Sequence, residues 1–335
     1  MASFSRNTME KTFISSLLSA GILLASSSFI VAQEKQTEAA QSKPGRDLAA
    51  ERTGPATRQG MTAGVIPDKV ERDVVYGKAD DVELKLDLYY PKKTAGKLPV
   101  TVYVHGGGWQ NGDKKMGAGA MAIGELVKRG YLVVLINYRL APAHKFPAQI
   151  EDVKCAIRFL RAHSKDYNLD PKRIGVWGSS AGGHLVALLG TTDAKAGLEG
   201  KGGWPDQSSR VQAVVDLFGP ADLTVEFPGG NARIAQTVFG ARSTKDEVMK
   251  RASPVTYVSR DDPPFLILHG ESDLLVPLSQ SEILHERLKK AGVQSKLVVV
   301  KNAGHGFRPV DGTPDPDRNE LTQMIADFFD QTLRK

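Results

Sequence analysis

The stretch Gly178-Ser179-Ser180-Ala181-Gly182-Gly183 decides the fold of this chain. A short apolar segment at residues 173–177 precedes it and predicts a strand, and the apolar run at residues 185–189 predicts a helix after it. Small residues on both sides of Ser180 permit a strained strand-to-helix turn that packs closely against the new helix. Such a turn lifts the serine hydroxyl above the sheet edge, where the first helix amides favour a developing negative charge. The pattern therefore predicts Ser180 as a nucleophile.

A second glycine-rich segment lies upstream of this turn. The apolar residues 99–104 predict a strand that runs directly into His105-Gly106-Gly107-Gly108-Trp109. Consecutive glycines let the backbone bring its N–H groups close to a substrate, which side chains would prevent. Backbone donors aimed at an oxyanion lower the barrier of acyl transfer by ~3–4 kcal/mol each. We expect an oxyanion hole made by the amides of Gly107, Gly108 and Ala181.

A nucleophilic serine also needs a base and an orienting acid, which in this type of site follow it in the chain order Ser, Asp, His. Asp273 lies in a turn shortly after the apolar residues 264–269, which predict a strand. His305 lies between two glycines in a loop after the next predicted strand, residues 296–301. We expect the Nε2 atom of His305 to take the serine proton while Asp273 holds its Nδ1–H. His184, on the helix after Ser180, is the alternative base, but chain order favours His305, and packing near the turn explains His184.

The motifs together resemble the α/β-hydrolase superfamily, in particular hormone-sensitive-lipase-like esterases, and residues 137–142 are similar to the Asn-Tyr-Arg-Leu-Ala-Pro stretch of that branch. The chain departs from the branch at Ser179, where an aspartate is usual, and at residues 270–277, which lack its Asp-Pro-Leu-x-Asp form. Both glycine motifs look closer to secreted bacterial feruloyl and acetyl-xylan esterases, and they also resemble kynurenine formamidases. The resemblance runs from about Val70 to Leu333 and implies an α/β-hydrolase fold.

The order of apolar segments predicts the same fold class. From residue 99 onward, predicted strands alternate with the predicted helices 117–129, 147–163 and 181–190, and a further strand is predicted at residues 211–217. This alternation predicts a mostly parallel central sheet flanked by helices on both faces, with the site at the carboxyl edge of the strands. Two earlier segments, 72–76 and 82–90, open the folded domain, and the alternation of apolar and polar residues in the second predicts an antiparallel edge strand.

The interval 221–260 separates two predicted core strands and predicts a small cap insertion. It contains Phe227 and the apolar stretch 234–239, which are candidates to close over a small acyl group. Trp109 and His105, at the ends of the predicted oxyanion loop, are the candidate substrate-binding side chains. Packing in the core is the alternative role for Trp109 and the cap aromatics.

Composition indicates a globular enzyme without a nucleic-acid partner. The chain has 335 residues, 41% hydrophobic and 24% charged, which is enough to bury one large core. Its net charge is +6, but lysines and arginines alternate with acids and form no basic run. Cys155 is the single cysteine, so an internal disulfide is excluded, and its place on a predicted helical stripe favours a packing role. No ligand-like spacing predicts a metal, and no cofactor is expected.

The N-terminus is typical of an export signal. Arg6 and Lys11 precede the apolar, serine-rich residues 13–32, and small residues at the end predict cleavage after Ala32. An uncleaved membrane anchor is the alternative, since the stretch approaches the ~20 residues that span a bilayer. We therefore expect a signal peptide at 1–32, a flexible linker at 33–69 and a catalytic domain at 70–335. The mature protein would be periplasmic or extracellular, with no stable membrane association.

Three functions remain open from the sequence. The first is a secreted serine carboxylesterase that hydrolyses short-acyl or aryl esters, including carbohydrate-linked acetyl or feruloyl esters, through an acyl-enzyme. The second is an arylformamidase that uses the same triad on an N-formyl bond, although export argues against a substrate from internal metabolism. The third is a non-catalytic interaction protein of hydrolase fold, which the presence of both a nucleophile and a base disfavours. The expected partner is a small-molecule or polysaccharide-linked ester.

Overall fold

This computed structural model describes residues 67–92, 95–227 and 232–334. The strands of this part of the chain form one eight-stranded sheet. The predicted signal peptide and nearly all of the predicted linker lie outside these residues. The strands are β1 (Lys69–Ala79), β2 (Val82–Tyr90), β3 (Leu98–Val104), β4 (Leu132–Ile136), β5 (Leu169–Ser179), β6 (Ala213–Leu217), β7 (Phe265–Gly270) and β8 (Ser295–Val300). Their spatial order is β1-β2-β4-β3-β5-β6-β7-β8.

The strand pairing confirms the predicted fold class. β1 pairs with β2 and β2 with β4 in antiparallel fashion, whereas every pairing from β4 to β8 is parallel. All residues of β3, β4 and β6 are buried, as expected of parallel strands covered on both faces. The sheet is therefore mostly parallel, with an antiparallel hairpin at one edge. The predicted edge position of residues 82–90 is wrong, because β2 is antiparallel but pairs with β1 on one side and β4 on the other, which leaves β1 as the edge strand.

Helices cover both faces of the sheet. They are α1 (Ile123–Lys128), α2 (Ala148–Ala162), α3 (Ala181–Thr191), α4 (Ala232–Phe239), α5 (Glu247–Arg251), α6 (Ser279–Lys290) and α7 (Arg318–Leu333). Apolar residues of α2, α3 and α6 belong to the core on one face, and those of α1 and α7 belong to the core on the other. Within the described ranges, no helix has both the length and the apolar character that crossing a membrane requires.

The predicted helix 117–129 is wrong in its first half. Residues Ala118–Ala122 form a 3₁₀ helix, and the α-helix begins only at Ile123. Glycine disfavours an α-helix, and two glycines lie in this first turn. A Cβ atom at Gly119 would lie 2.4 Å from the ring of Tyr103, so this turn lies directly against the sheet. The close approach explains both the glycine and the tighter helix.

The sheet order brings four loops to one edge. The loops after β3, β5, β7 and β8 all start at the carboxyl ends of neighbouring parallel strands, where α/β sheets bind ligands. Between β6 and β7, the chain forms α4, α5 and the 3₁₀ helix Pro254–Thr256, apart from residues 228–231, which lie outside the description. These elements occupy the predicted cap interval. The helix α4 contributes its apolar face to the core that α3 also joins.

Candidate active site

Ser180 occupies a strained turn between β5 and α3. Its backbone has φ 57° and ψ −119°, a conformation that costs a non-glycine residue of order 1–3 kcal/mol. The glycines around it are required by contact, since a Cβ atom at Gly178 would lie 2.4 Å from the carbonyl oxygen of Gly182, and one at Gly182 would lie 2.1 Å from that of Val104. The N–H of Ser180 donates to the carbonyl of Leu217 at 2.8 Å, which ties the turn to β6.

The structure brings the three predicted site residues into one hydrogen-bonded chain. The hydroxyl of Ser180 lies 3.0 Å from Nε2 of His305, and Nδ1 of His305 lies 2.7 Å from Oδ2 of Asp273. With the proton on Nδ1, the imidazole donates to the carboxylate and accepts from the serine. The side chain of Asp273 is buried, whereas 26% of the His305 side chain is exposed. A nucleophile and a base at this distance satisfy the geometry for nucleophilic catalysis.

The carboxylate of Asp273 is held from both sides. Its Oδ1 atom accepts the N–H groups of Leu275 and Val276, each at 2.9 Å, and Nε2 of His269 lies 3.5 Å from Oδ2. Burial acts to raise the pKa of Asp273, but the contacts with His269 and His305 outweigh it and hold this pKa well below its ordinary value. The acid therefore stays ionised beside the imidazole.

Two residues that the sequence did not single out as functional support this chain. His269 is fully buried on β7, with Nε2 donating to the carbonyl of Val276 at 2.9 Å and Nδ1 accepting from Ser281 at 2.6 Å. Phe218, directly after β6, places its ring edge-on to His305, with centroids 4.8 Å apart. Their positions at strand ends were visible in the sequence, but the contacts join residues distant in the chain.

The glycine loop after β3 has the backbone conformation that its sequence predicts. Gly107 and Gly108 have φ of 118° and 61°, and a Cβ atom at Gly107 would lie 2.0 Å from the carbonyl oxygen of Asn111. The loop folds back there, because the carbonyl of Gly107 accepts the N–H of Asn111 at 3.0 Å. Among the hydrogen bonds of the described residues, the N–H groups of Gly107 and Gly108 have no protein acceptor. Neither N–H is therefore used in a hydrogen bond within the described part of the chain.

The structure places His105 inside the loop, whereas the sequence predicted contact with substrate. His105 is 1% exposed, and its ring stacks on that of Tyr138 with centroids 4.3 Å apart. Nδ1 of His105 donates to the carbonyl of Gly106 at 2.7 Å, and the hydroxyl of Tyr138 donates to the carbonyl of His105 at 3.0 Å. Burial lowers the pKa of His105, so the ring is neutral. His105 therefore supports the glycine loop from the buried side.

Trp109 is also buried, at 4% exposure, and differs from the prediction in the same way. Its indole N–H donates to Nδ1 of His184 at 3.2 Å, and its ring packs edge-on against Phe239 of α4. The backbone of Trp109 has φ 59°, a left-handed conformation that glycine adopts more readily than a residue with a side chain. The side chain thus lies between the glycine loop, α3 and α4.

His184 is not placed to act as the base. Its Nε2 atom donates to the carbonyl of Ala252 at 2.7 Å, and its Nδ1 atom accepts from Trp109. Burial lowers the pKa of His184 to about 4, so it is neutral and fully hydrogen-bonded at neutral pH. The geometry favours His305 over this alternative.

The Asn-Tyr-Arg-Leu-Ala-Pro segment supports the glycine loop through a buried ion pair. The guanidinium of Arg139 binds Asp152 of α2 through several hydrogen bonds of 2.8 to 3.1 Å, and the backbone N–H of Arg139 also donates to that carboxylate at 2.8 Å. From this anchored segment, the N–H of Ala141 donates to the carbonyl of Trp109 at 2.9 Å. The motif is therefore a support for the loop.

Ser179, where the lipase-like branch usually has an acid, is 2% exposed. Its hydroxyl lies 3.2 Å from that of Tyr103, which donates to the carbonyl of Met116 at 2.8 Å. The residue before Ser180 thus joins a buried hydrogen-bonded chain under the loop that follows Trp109, and it makes no contact with His305 in the described structure.

Comparison with known proteins gives one family and several relatives. Residues 86–288 match the BD-FAE family. The chain is 35% identical over 271 residues to the esterase LipC of Mycobacterium tuberculosis, which covers 78% of this chain and 65% of LipC. It spans between 51% and 65% of the length of the first three curated relatives.

Solved structures show the same architecture. A truncated form of a carbohydrate esterase from gut microbiota matches with a TM-score of 0.70 and 29% identity, over 82% of this chain and 99% of that one. A thermophilic esterase, Est2 of the planctomycete Thermogutta terrifontis, matches with a TM-score of 0.65 and 29% identity, over 78% and 91% of the two chains.

Proposed function

Because the chain belongs to the BD-FAE family of α/β-hydrolase esterases, we propose that it is a serine carboxylesterase. One observation carries the proposal, namely the hydrogen-bonded chain from Ser180 through His305 to Asp273 beside the glycine loop. In this reaction the oxygen of Ser180 attacks the ester carbonyl carbon while Nε2 of His305 takes the hydroxyl proton. The carbonyl oxygen becomes an oxyanion, and the N–H groups of Gly107, Gly108 and Ala181 stabilise it.

The reaction is completed in two stages, acylation of the serine and hydrolysis of the acyl-enzyme, each through its own tetrahedral intermediate. His305 gives its proton to the alcohol oxygen as the carbon–oxygen bond breaks, which leaves an acyl group on Ser180. A water molecule attacks the acyl carbon while His305 takes a proton from it, and the carboxylic acid leaves as Ser180 regains its proton. Asp273 stays ionised throughout and stabilises the imidazolium that forms twice in the cycle.

The proposed substrates are short-acyl or aryl esters, including acetyl or feruloyl groups linked to carbohydrate. The related Est2 has been solved with propionate and with butyrate bound, and the gut-microbiota relative is a carbohydrate esterase. Three large apolar residues next to the acid and the base are exposed: Leu274 by 82%, Leu275 by 52% and Val310 by 52%. We propose that these side chains border the site and contact an apolar part of the substrate.

The N-terminal proposal rests on the sequence. Residues 1–32 would direct export and be removed, and 33–69 would link the new N-terminus to a catalytic domain at 70–335. N-terminal sequencing of the protein recovered outside the cytoplasm tests this, with Gln33 as the expected first residue. Recovery of the intact chain with the membrane fraction would favour an anchor at 13–32 instead.

Labelling by a fluorophosphonate tests the nucleophile. An activated serine attacks phosphorus as it attacks a carbonyl, so the probe should modify Ser180, and Ser180→Ala should abolish labelling and reduce kcat by about 10⁶-fold. His305→Ala should be nearly as damaging, and Ser179→Ala is the control that keeps the labelling site. Ester hydrolysis that persists unchanged in Ser180→Ala would refute the proposal. N-formylkynurenine, tested beside methyl ferulate and acetylated xylan, separates the esterase from an arylformamidase.

A further inference from the structure

Two buried side chains outside the proposed triad connect three parts of the fold. Indole nitrogen is a donor only, so Nδ1 of His184 must accept the N–H of Trp109, 3.2 Å away. The ring proton of the neutral imidazole then lies on Nε2, which donates to the carbonyl of Ala252 at 2.7 Å. Trp109 and His184 are 4% and 1% exposed, so water does not compete for either hydrogen bond.

The two hydrogen bonds that run from Trp109 through His184 to Ala252, called the relay below, join separate segments of the chain. Trp109 ends the glycine loop, His184 lies one turn into α3 after Ser180, and Ala252 directly follows α5 in the cap interval. Phe239 of α4 packs edge-on against both rings, with centroids 5.4 Å from Trp109 and 6.3 Å from His184. The relay thus fixes the glycine loop to the nucleophile helix and to the cap at once.

The backbone of Trp109 needs such support. Its φ of 59° lies in the left-handed region, which costs a residue with a Cβ about 1–2 kcal/mol and persists only where the surroundings over-determine it. The residue directly before it, Gly108, also has positive φ and offers one of the unpartnered N–H groups. Holding Trp109 fixes the peptide between Gly108 and Trp109 and so restrains the short loop that carries the Gly108 N–H.

We propose that Trp109 and His184 are positioning residues of the reaction, which hold the oxyanion-binding amides in register with Ser180 and with the cap. The inference rests on the proposed esterase function. Donors that are preorganised act in the transition state more than in the bound substrate, so their loss lowers kcat and leaves KM nearly unchanged.

The test uses three variants of the full chain. Trp109→Phe keeps a ring and removes the donor, and His184→Leu keeps the volume and removes both hydrogen bonds. Each should lower kcat, and the rate of phosphonate labelling at Ser180, by about 10–100-fold, as for one poorly placed oxyanion donor, with KM within about threefold. His184→Gln offers an acceptor and a donor on one amide and should restore kcat to within about fivefold of the wild type.

Trp204→Phe is the matched control. Trp204 donates its indole N–H to the carbonyl of Tyr76 at 2.9 Å and packs against Phe159 and His163, away from the glycine loop. It should lose stability without a change in kcat. Equal losses of kcat in Trp204→Phe and Trp109→Phe would show a general effect of destabilisation and overturn the proposal.

Two further results separate the relay from the esterase function. If the wild type is labelled at Ser180 while Trp109→Phe and His184→Leu keep full kcat, the relay is refuted and the esterase function stands. If the probe does not label Ser180 in the wild type, the esterase function fails first. Should His184→Leu not fold, Trp109→Phe decides the question by the same readouts.

Discussion

At the scale of single residues, the carboxylate of Asp273 accepts hydrogen bonds from two backbone N–H groups and from His305. Asp273→Asn can keep the two backbone bonds through its amide oxygen, so we expect the fold to survive. Its amide N–H₂ would then face Nδ1 of His305 and favour the tautomer that cannot take the serine proton. We expect kcat to fall by about 10⁴-fold, as in a comparable triad.

Steady-state kinetics with a nitrophenyl ester, beside circular dichroism of the same sample, checks this expectation. A loss of less than about tenfold in a folded Asp273→Asn variant would mean that another group orients His305. The wild-type carboxyl has its pKa held well below the ordinary value, so any loss of activity between pH 7 and 5 must come from a different group.

His184 gives a pH dependence of stability that can be isolated. Burial lowers the pKa of His184 to about 4, whereas an unfolded histidine titrates near 6.5. Below pH 6.5 the unfolded chain therefore binds a proton that the folded chain does not, and stability falls until the pH reaches the folded pKa. This one group should remove about 2–3 kcal/mol between pH 7 and 4.5.

Urea unfolding of the wild type and of His184→Gln at both pH values measures this contribution. The glutamine variant cannot titrate, and the other ionisable groups cancel in the comparison. The wild type should lose more stability than the variant as the pH falls. Equal losses in both proteins would show that His184 is protonated in the folded state.

At the scale of elements, the crossing of β3 and α3 leaves no space at Gly182. A Cβ atom there would lie 2.1 Å from the carbonyl oxygen of Val104 and 2.6 Å from that of His105, both of which are main-chain atoms at the end of β3 and the start of the glycine loop. We expect Gly182→Ala to lower the free energy of unfolding by at least about 3 kcal/mol, at the upper end of overpacking effects.

Gly197→Ala is the control for this experiment. Gly197 has φ 65° with nothing within 4 Å of an added Cβ atom, so alanine should cost only about 1 kcal/mol through its backbone conformation. Thermal unfolding of the two variants gives the comparison. Equal stability of the two proteins would mean that the turn at Ser180 can shift away from β3.

The features of the fold and the site that the sequence could predict are those that depend on local patterns. Apolar β-branched runs and glycine motifs are local signals, so the strands, the turn at Ser180 and the order of Asp273 and His305 were accessible to prediction. The roles of His105 and Trp109 were not, because their burial depends on Tyr138 and on α4, which the chain brings in from elsewhere. The first half of the helix predicted at 117–129 failed because a ring of β3 requires glycine there.

At the scale of the whole molecule, packed rings fill the space behind the glycine loop. The ring of Phe239 contacts those of Trp109 and Phe146, with centroids 5.4 and 5.7 Å apart, and His184 packs against Trp109 at 5.1 Å. We expect an acyl pocket that ends at these rings to gain roughly 0.8 kcal/mol per buried methylene only until it is full. Activity on nitrophenyl esters should therefore be highest from acetate to butyrate and fall by octanoate.

Values of kcat/KM across the ester series check this expectation, with phenyl acetate as a control for the alcohol. Trp109→Phe should not extend the preferred chain length, because the ring remains. A preference for palmitate esters, or activation at a lipid interface, would show that the cap opens into a long channel and would indicate a lipase.

The spread of the site along the chain has a consequence for biosynthesis. Ser180 and His305 are separated by 125 residues, and His305 follows β8, the outermost strand on its side of the sheet. A growing polypeptide therefore carries the proposed nucleophile long before the ribosome has made the proposed base. If the two act together as proposed, we expect hydrolysis to begin only after β8 has joined the sheet, so activity during synthesis would report the addition of this last strand.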